Sequence, residues 1–183
     1  MSPAVRPALL RTERLVLRPY LEGDGLDIFA YAQLEQWSRH LASSIPFPYA
    51  LEDAEAFVAT MLNKPWELEP NWAIVLDRQV IGGLGLTLRL PESLAELAYS
   101  LAPAHWNRGL TTEAARAALD YAFYILGLDA IVARSDARNT GSWRVMEKLG
   151  MWRTALEDGA RLDRAGEQVD EAHYRIERTS WLG

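Results

Sequence analysis

One ten-residue segment, His105-Trp106-Asn107-Arg108-Gly109-Leu110-Thr111-Thr112-Glu113-Ala114, constrains the fold more than any other part of the chain. It couples a basic, glycine-containing turn to an apolar run that extends to Leu126 and stops at Gly127. The first N–H groups of a helix have no internal partner and carry the positive end of its dipole. Gly109 lets a ligand come close to the backbone, Arg108 adds a full positive charge, and Thr111 or Thr112 is positioned to cap. Such a helix start accommodates a phosphate or pyrophosphate. The same ten residues also fit an ordinary capped helix, so the flanking segments decide.

Leu94 to Leu101 alternates large and small residues and reads as a strand. In the helix that follows, Glu113, Arg116 and Asp120 form one charged stripe on an otherwise apolar, buried element. A second strand covers Ala130 to Arg134. Asn139 to Met151 is a second helix with a polar start and a glycine, Gly150, just past its end. Strand, phosphate-type turn, helix, strand and polar helix start make a βαβα unit, whose ligand sits where strand ends meet helix starts.

Three segments in this order resemble the GCN5-related N-acetyltransferase (GNAT) superfamily, in its RimJ/RimL branch of ribosomal-protein N-acetyltransferases. Arg11-Thr12-Glu13-Arg14-Leu15-Val16-Leu17-Arg18-Pro19 is similar to that branch's first strand. Trp106 to Ala114 resembles its acetyl-CoA pyrophosphate loop. Asn139-x-x-Ser142 running to Glu147-Lys148-Leu149-Gly150 resembles its second CoA segment. A weaker match joins Gly166-Glu167-Gln168-Val169-Asp170 and Tyr174 to its last hairpin. The resemblance implies one α/β (α+β) domain over residues 1–183, with 1–10 as an N-terminal tail. Its sheet is mixed and mostly antiparallel, is flanked by helices, and opens in a V between the central strands for acetyl-CoA.

Two departures accompany the match. The family often has glycine where this chain has Asn107, and glycine or alanine at Thr111. Asparagine tolerates left-handed backbone, and a threonine hydroxyl is able to donate to a phosphate. Many relatives outside this branch carry a tyrosine acid seven residues after the asparagine, where this chain has Met146.

Composition excludes several classes. The chain has no Cys, so it has neither disulfide nor thiolate nucleophile, and its three histidines (His40, His105, His173) show no metal-ligand spacing. No metal is expected. Residues 1–10 lack the apolar core of a signal peptide and no run reaches 18 apolar residues, so a cytoplasmic protein without membrane partners is expected. A net charge of −6 argues against nucleic acid. Arg134, Arg138, Arg144, Lys148 and Arg153 gather near the second CoA segment, either as a solvated face or as a patch for CoA phosphates.

Elsewhere, Leu15 to Arg18 reads as a strand, and Asp24 as the cap of a helix at Leu26 to Ala30. Ala54, Phe57, Val58, Met61 and Leu62 show helical spacing. Trp72 to Leu76 and Gln79 to Leu90 form a hairpin about Asp77-Arg78. Gly82, Gly83 and Gly85 mark a bulge or close backbone approach, and Ala172 to Trp181 is the last strand.

The implied activity is acetyl transfer from acetyl-CoA to a primary amine, by direct attack in a ternary complex. The acceptor is a protein N-terminal α-amine or a small amine such as a polyamine or aminoglycoside. A non-catalytic acyl-CoA-binding module is the alternative. CoA-binding candidates are Leu101, Asn107, Arg108, Gly109, Leu110, Thr111, Thr112, Asn139, Ser142 and Lys148, with the Leu101 region supplying oxyanion donors. The base is Glu96, or a solvent-facing Glu96 is replaced by Glu157 or His173. Ser142 donates to the departing sulfur, with Tyr99 as an alternative. Trp37, Tyr49 and Tyr99 are acceptor-pocket candidates, together with Trp66, Trp143 and Phe47. Dimerisation, common among relatives, extends to this chain as a homodimer option.

Overall fold

The computed structural model describes residues 7–41 and 43–182. Eight strands form one sheet in the order β1-β2-β3-β4-β5-β6-β8-β7. They are β1 (Leu10–Arg11), β2 (Val16–Arg18), β3 (Asn71–Leu76), β4 (Gln79–Arg89), β5 (Leu94–Leu101), β6 (Ala130–Asp136), β7 (Trp152–Leu162) and β8 (Gln168–Glu177). Helices α1 (Gly25–Ala32), α2 (Glu35–Ser38) and α3 (Leu51–Asn63) lie between β2 and β3 in the chain. α4 (Leu110–Asp120) lies between β5 and β6, α5 (Thr140–Lys148) between β6 and β7, and α6 (Arg178–Leu182) follows β8. Among the described residues only the β5–β6 pair is parallel. A parallel pair needs a long crossover, and α4 supplies it.

Side chains alternate across the sheet, so the strands build two cores. Leu17, Trp72, Ile74, Leu86, Leu97 and Ile131 pack with α4 and α5 residues such as Ala115, Leu119 and Met146. From the opposite face, Ala73 and Val80 pack with Ile28 and Tyr31 of α1 and Val58 of α3.

Local chemistry explains most boundaries. Asp77 and Arg78 have φ of 48° and 71°, the two positive values a type I′ hairpin turn requires. The β3–β4 register slips between Ile74 and Val75, so Ile74 faces Gly82 while Val75 faces Val80. This is the bulge expected from the glycine run. At Gly83 the expected close approach is also present, because an added Cβ would collide with Tyr20 Oη.

Four boundaries differ from expectation. Asp24 does not cap α1 with its side chain. Its carboxylate accepts from Arg18 Nη1 and Nη2, both at 2.8 Å, and from the Leu21 N–H at 2.9 Å, a stronger charge-assisted set than one helix N–H. The α4 helix widens into a π-type turn over Tyr121–Ile125 before the chain leaves it. The last strand ends at Glu177, where Arg178 begins α6. Arg116 lies over the Trp181 ring at 5.0 Å, and Asp120 accepts from Trp181 Nε1 at 2.8 Å, so the charged stripe docks α6. Finally, the N-terminal tail is shorter than expected. Leu10 belongs to β1, and the Ala8 carbonyl accepts from Trp72 Nε1 at 2.8 Å; residues 1–6 lie outside the described residues.

Gly83→Ala should therefore lower stability by about 1–3 kcal/mol, the usual overpacking penalty. Tyr20→Phe in the same chain should restore much of it by removing the colliding oxygen, as thermal unfolding of both variants would measure.

Candidate functional site

The strand β5 leaves the sheet through a short turn at Pro103–His105, and then Asn107 and Gly109 adopt φ of 58° and 76°. Asparagine and glycine are the residues that enter this left-handed region most readily. Gly109 occupies the helix N-cap without a side-chain cap. Thr111 and Thr112 stand inside the first turn instead, so neither threonine caps. The amides of Leu110, Thr111 and Thr112 are therefore first-turn donors with no intrahelical acceptor.

The loop is tied to the other end of the sheet. Glu113 accepts from Thr12 Oγ1 at 2.5 Å, the Arg14 N–H at 2.9 Å and Arg14 Nε at 2.7 Å. Arg14 Nη1 also donates to the Arg108 carbonyl at 3.0 Å. Burial pushes the Glu113 carboxyl up, but the hydrogen bonds from Thr12 and Arg14 outweigh it and hold the group below its ordinary value. His105, partly buried and beside the Arg108 guanidinium, is lowered.

The neighbouring opening follows from the strand register. β5 and β6 pair only at Leu94↔Ala130, Ala95↔Ile131 and Glu96↔Val132. Beyond these rungs β5 continues to Leu101 and β6 to Asp136 unpaired with each other. The Ala102 N–H donates to Ile81 across β4. In an antiparallel pair successive residues alternate direction, so the N–H groups of Tyr99 and Leu101 point into the opening. The Leu101 carbonyl accepts from Trp106 Nε1 at 2.8 Å. Across the opening, Asn139 caps α5 by accepting from the Ser142 N–H at 3.1 Å. Tyr99 Oη donates to the Ser142 carbonyl at 2.9 Å and lies 3.1 Å from Ser142 Oγ. Burial raises the Tyr99 phenol, with the Ser142 hydrogen bond opposing. The phenol therefore stays protonated.

On the other face a cavity of about 310 Å³ reaches the same stretch of β5, at Ala98, Tyr99 and Ser100. Its walls include Tyr20, Tyr31, Trp37, Tyr49 and Phe57. Tyr31 and Tyr49 pack against Trp37 at ring-centroid distances of 5.6 and 5.8 Å. Burial raises the phenols of Tyr20, Tyr31 and Tyr49, which leaves them uncharged at neutral pH. The segment over this cavity is latched to the β7–β8 hairpin. Arg161 donates to the His40 carbonyl at 3.1 Å, and Arg164 pairs with Glu35 at 3.6 Å and covers the Phe47 ring at 3.8 Å.

The pattern of the acetyltransferase (GNAT) domain matches residues 14–152. The chain belongs to the GNAT family of acetyltransferases. It is 28% identical over 173 residues to the uncharacterised N-acetyltransferase YnaD of Bacillus subtilis (strain 168), covering 94% of this chain and 98% of that protein. A GNAT-family acetyltransferase from Bacillus anthracis superposes with a TM-score of 0.82 at 26% identity, covering 94% and 99% of the two chains. A ribosomal-protein-S5-alanine acetyltransferase from Vibrio fischeri shares the fold, with a TM-score of 0.81 at 17% identity over 95% and 98% of the chains. The GNAT architecture accounts for the mixed sheet, the single parallel pair and its opening.

Within this GNAT fold the candidate residues fall into separate places. Leu101, Asn107, Arg108, Gly109, Leu110, Thr111, Thr112, Asn139 and Ser142 lie on the loop or around the opening, and Tyr99 bridges to Ser142. Trp37 and Tyr49 line the aromatic cavity. Lys148 ends α5, about 13 Å along the axis from Asn139. Glu96 lines a different cavity, with Arg89, Arg134 and His173. Its carboxylate is held by Arg134 at 2.8 Å and Arg89 at 3.1 Å. The expected basic patch is divided. Arg134 pairs with Glu96 and Glu171, and Arg138 with Asp136 and Asp163, while Arg144 lies over Trp143. His173 lies 3.6 Å from Glu157 and 3.4 Å from Glu171.

Three aromatics expected at the acceptor site are elsewhere. Trp66 is core, donating to Tyr121 Oη at 3.2 Å. Trp143 packs on the α4–α5 core, and Phe47 is exposed beneath Arg164. Sequence reading missed Tyr20, Tyr31 and Phe57. Tyr31 and Phe57, spaced on helices, look like core, and Tyr20 stands in the loop between β2 and α1; only the gap left between α1, α3 and the sheet separates the two roles. Among the described residues no group of three or more metal-ligating side chains is found, and no helix is long and apolar enough to cross a membrane.

Glu113→Gln should cost about 1 kcal/mol at neutral pH, a modest figure because Arg14 is well exposed. That corresponds to roughly 2–4 °C in Tm. A carboxylate lowered on folding stabilises above its unfolded value and loses that effect as pH falls. The Tm gap should therefore close as pH drops below the ordinary 4.5, which melting curves across pH would read.

Proposed function

We propose that this chain transfers acetyl from acetyl-CoA, as co-substrate, directly to a primary amine seated in the aromatic cavity. The observation that carries this reading is a meeting point. The cavity reaches β5 from one face at Ala98–Ser100, where the N–H groups of Tyr99 and Leu101 enter the opening and Ser142 stands across it.

The residues fit the co-substrate. The first-turn amides of Leu110, Thr111 and Thr112, with Asn107, Arg108 and Gly109, form a positive, uncapped helix start suited to a pyrophosphate. Asn139 and Ser142 border the arm that runs through the opening. During transfer the amine nitrogen bonds to the acetyl carbon, the carbon–sulfur bond breaks, and the proton lost by the nitrogen ends on the sulfur, which leaves as CoA thiol. The Tyr99 and Leu101 amides are placed to receive the oxyanion formed on the way. Ser142 Oγ donates toward the departing sulfur, and the Tyr99 phenol fixes the residue through its carbonyl.

A free amine must first shed its proton. The oxygens of Glu96 are engaged by two guanidinium groups in a cavity of its own, so we assign it a positioning role in the β4–β5–β6 contact. Apolar walls disfavour an ammonium ion, and the amine enters the cavity as the neutral nucleophile. The acceptor that suits this arrangement is an α-amine or comparable primary amine on a compact body. A volume of about 310 Å³ is near the lower end for small-molecule sites, about 300–1,000 Å³.

Acetyl-CoA at about a hundred times its Kd should stabilise the protein by roughly 2.7 kcal/mol, whereas ATP and NAD should not. Gly109→Val should abolish that shift, because a β-branched residue resists φ near 76°, displacing the loop, and its Cβ would stand 3.7 Å from Arg14 Nη2. A response to ATP or NAD alone would overturn the assignment, and acetyl-CoA binding without thiol release on any amine would identify a binding module.

In turnover, Tyr99→Phe and Ser142→Ala should each lower kcat by about tenfold or more. Glu96→Gln should change kcat/KM by less than about threefold, with an unaltered pH profile. A pH-dependent loss of about a hundredfold would instead return the base role to Glu96.

A further inference from the structure

The acceptor cavity has a chemistry narrower than a site for amines in general. Six aromatic residues line it, Tyr20, Tyr31, Trp37, Tyr49 and Phe57 with Tyr99 at the opening, and its floor on the sheet includes Gly83, Gly85 and Ala98. Its only ionisable side chains other than the tyrosines are Lys64 and Glu69, which pair with each other. No unpaired carboxylate is thus available among the lining residues to receive a second ammonium group. One polar group is left over. The indole N–H of Trp37 is buried without a hydrogen-bond partner among the described residues, whereas buried donors are normally partnered.

These features exclude polycations on physical grounds. A polyamine or aminoglycoside carries several ammonium groups, and each desolvated without a counter-ion is costly. A flat aromatic or bulky aliphatic body instead finds rings on several sides. The small floor lets that body lie against the sheet beside Ala98–Ser100, which brings its amine to the opening. A carbonyl or hydroxyl oxygen on the same molecule would satisfy Trp37 Nε1.

Resting on the acetyltransferase reading above, we propose that the acceptor is a primary amine attached to an aromatic or large apolar group and bearing no second positive charge. A free aromatic amino-acid derivative and a peptide whose first residue is aromatic share this chemistry. Trp37 is the specificity-determining residue.

The test measures CoA thiol release with phenylalaninamide, tryptamine, the tripeptide Phe-Ala-Ala, serinamide, Ser-Ala-Ala, spermidine and kanamycin. Aromatic acceptors should exceed the serine analogues and both polycations by about tenfold or more in kcat/KM, the discrimination an apolar pocket achieves. Phenylalaninamide and tryptamine against Phe-Ala-Ala separate a free amine from a chain terminus.

Trp37→Ala should raise KM for phenylalaninamide by about tenfold or more while the melting shift with acetyl-CoA persists. Trp37→Phe keeps a ring and loses the N–H, so it should weaken phenylalaninamide more than tryptamine. A polycation or serine acceptor ranking first, or an unchanged KM in Trp37→Ala, overturns the proposal. Absence of an acetyl-CoA melting shift would instead sink the acetyltransferase reading. The cavity is then judged by titrating phenylalaninamide into the protein and following tryptophan fluorescence. A saturable change upholds the aromatic site, and none overturns it.

Discussion

The structure depends on a parallel strand pair that stops early. β5 is bound to β4 along its whole length, from Gly82↔Leu101 to Arg89↔Leu94, and β6 is bound to β8 from Ala130↔Glu177 to Asp136↔Glu171. Each central strand is therefore committed to its outer neighbour. Sheets twist, and two halves held this firmly separate once their shared rungs end at Glu96↔Val132. The opening needs no strained residue to hold it apart. Backbone groups that a continuous sheet would have consumed face a gap, and Tyr99, Ser142 and Trp106 gather round it because their elements begin or end there.

Charge is arranged by the same division. On the loop side Arg14 and Glu113 fasten the β1–β2 turn to the start of α4. Past the opening, Asp136 accepts from Arg138 at 2.7 Å and from His40 at 3.3 Å, and Glu171 lies within reach of Arg134 and Arg161. Burial raises the Asp136 carboxyl, yet the Arg138 hydrogen bonds and the His40 contact leave it lowered. Arg134, Arg138 and Arg161 thus hold protein carboxylates, while Arg108 on the loop lies 3.0 Å from His105 Nδ1.

How much of this was legible in the sequence depended on distance along the chain. The Asp77-Arg78 turn, the left-handed Asn107 and Gly109, the crossover helix and the Asn139 helix start all rest on residues within a few positions of one another, and each was readable. Partnerships formed across the sheet were not. Asp24 looked like a cap because its partner Arg18 lies six residues back on another element. Glu96 looked free because Arg134 is thirty-eight residues away. Tryptophans behaved in the same way. Trp37 and Trp66 both sit in polar-flanked segments, but one faces the gap under α1 and α3 while the other fills the core beside Trp72. Periodicity identifies a face of a helix, and it does not reveal whether that face meets a neighbour or a void.

The latch over the aromatic cavity bears on how the molecule assembles. Residues 35–47 and 161–164 lie more than a hundred positions apart, and the latch joins them through Arg161, Arg164, His40 and Phe47. The first segment lies between α1 and α3 and the second at the end of β7, so the two sheet halves, β4 with β5 and β8 with β6, must first be brought together by the α4 crossover. Loops of this length close only after intervening contacts have shortened the effective chain. The β3–β4 hairpin and the β7–β8 hairpin are local and able to form early, while the roof of the cavity waits for both halves. A chain that has lost its latch would keep its sheet and the α4 helix-start loop, yet leave the aromatic cavity an unroofed groove.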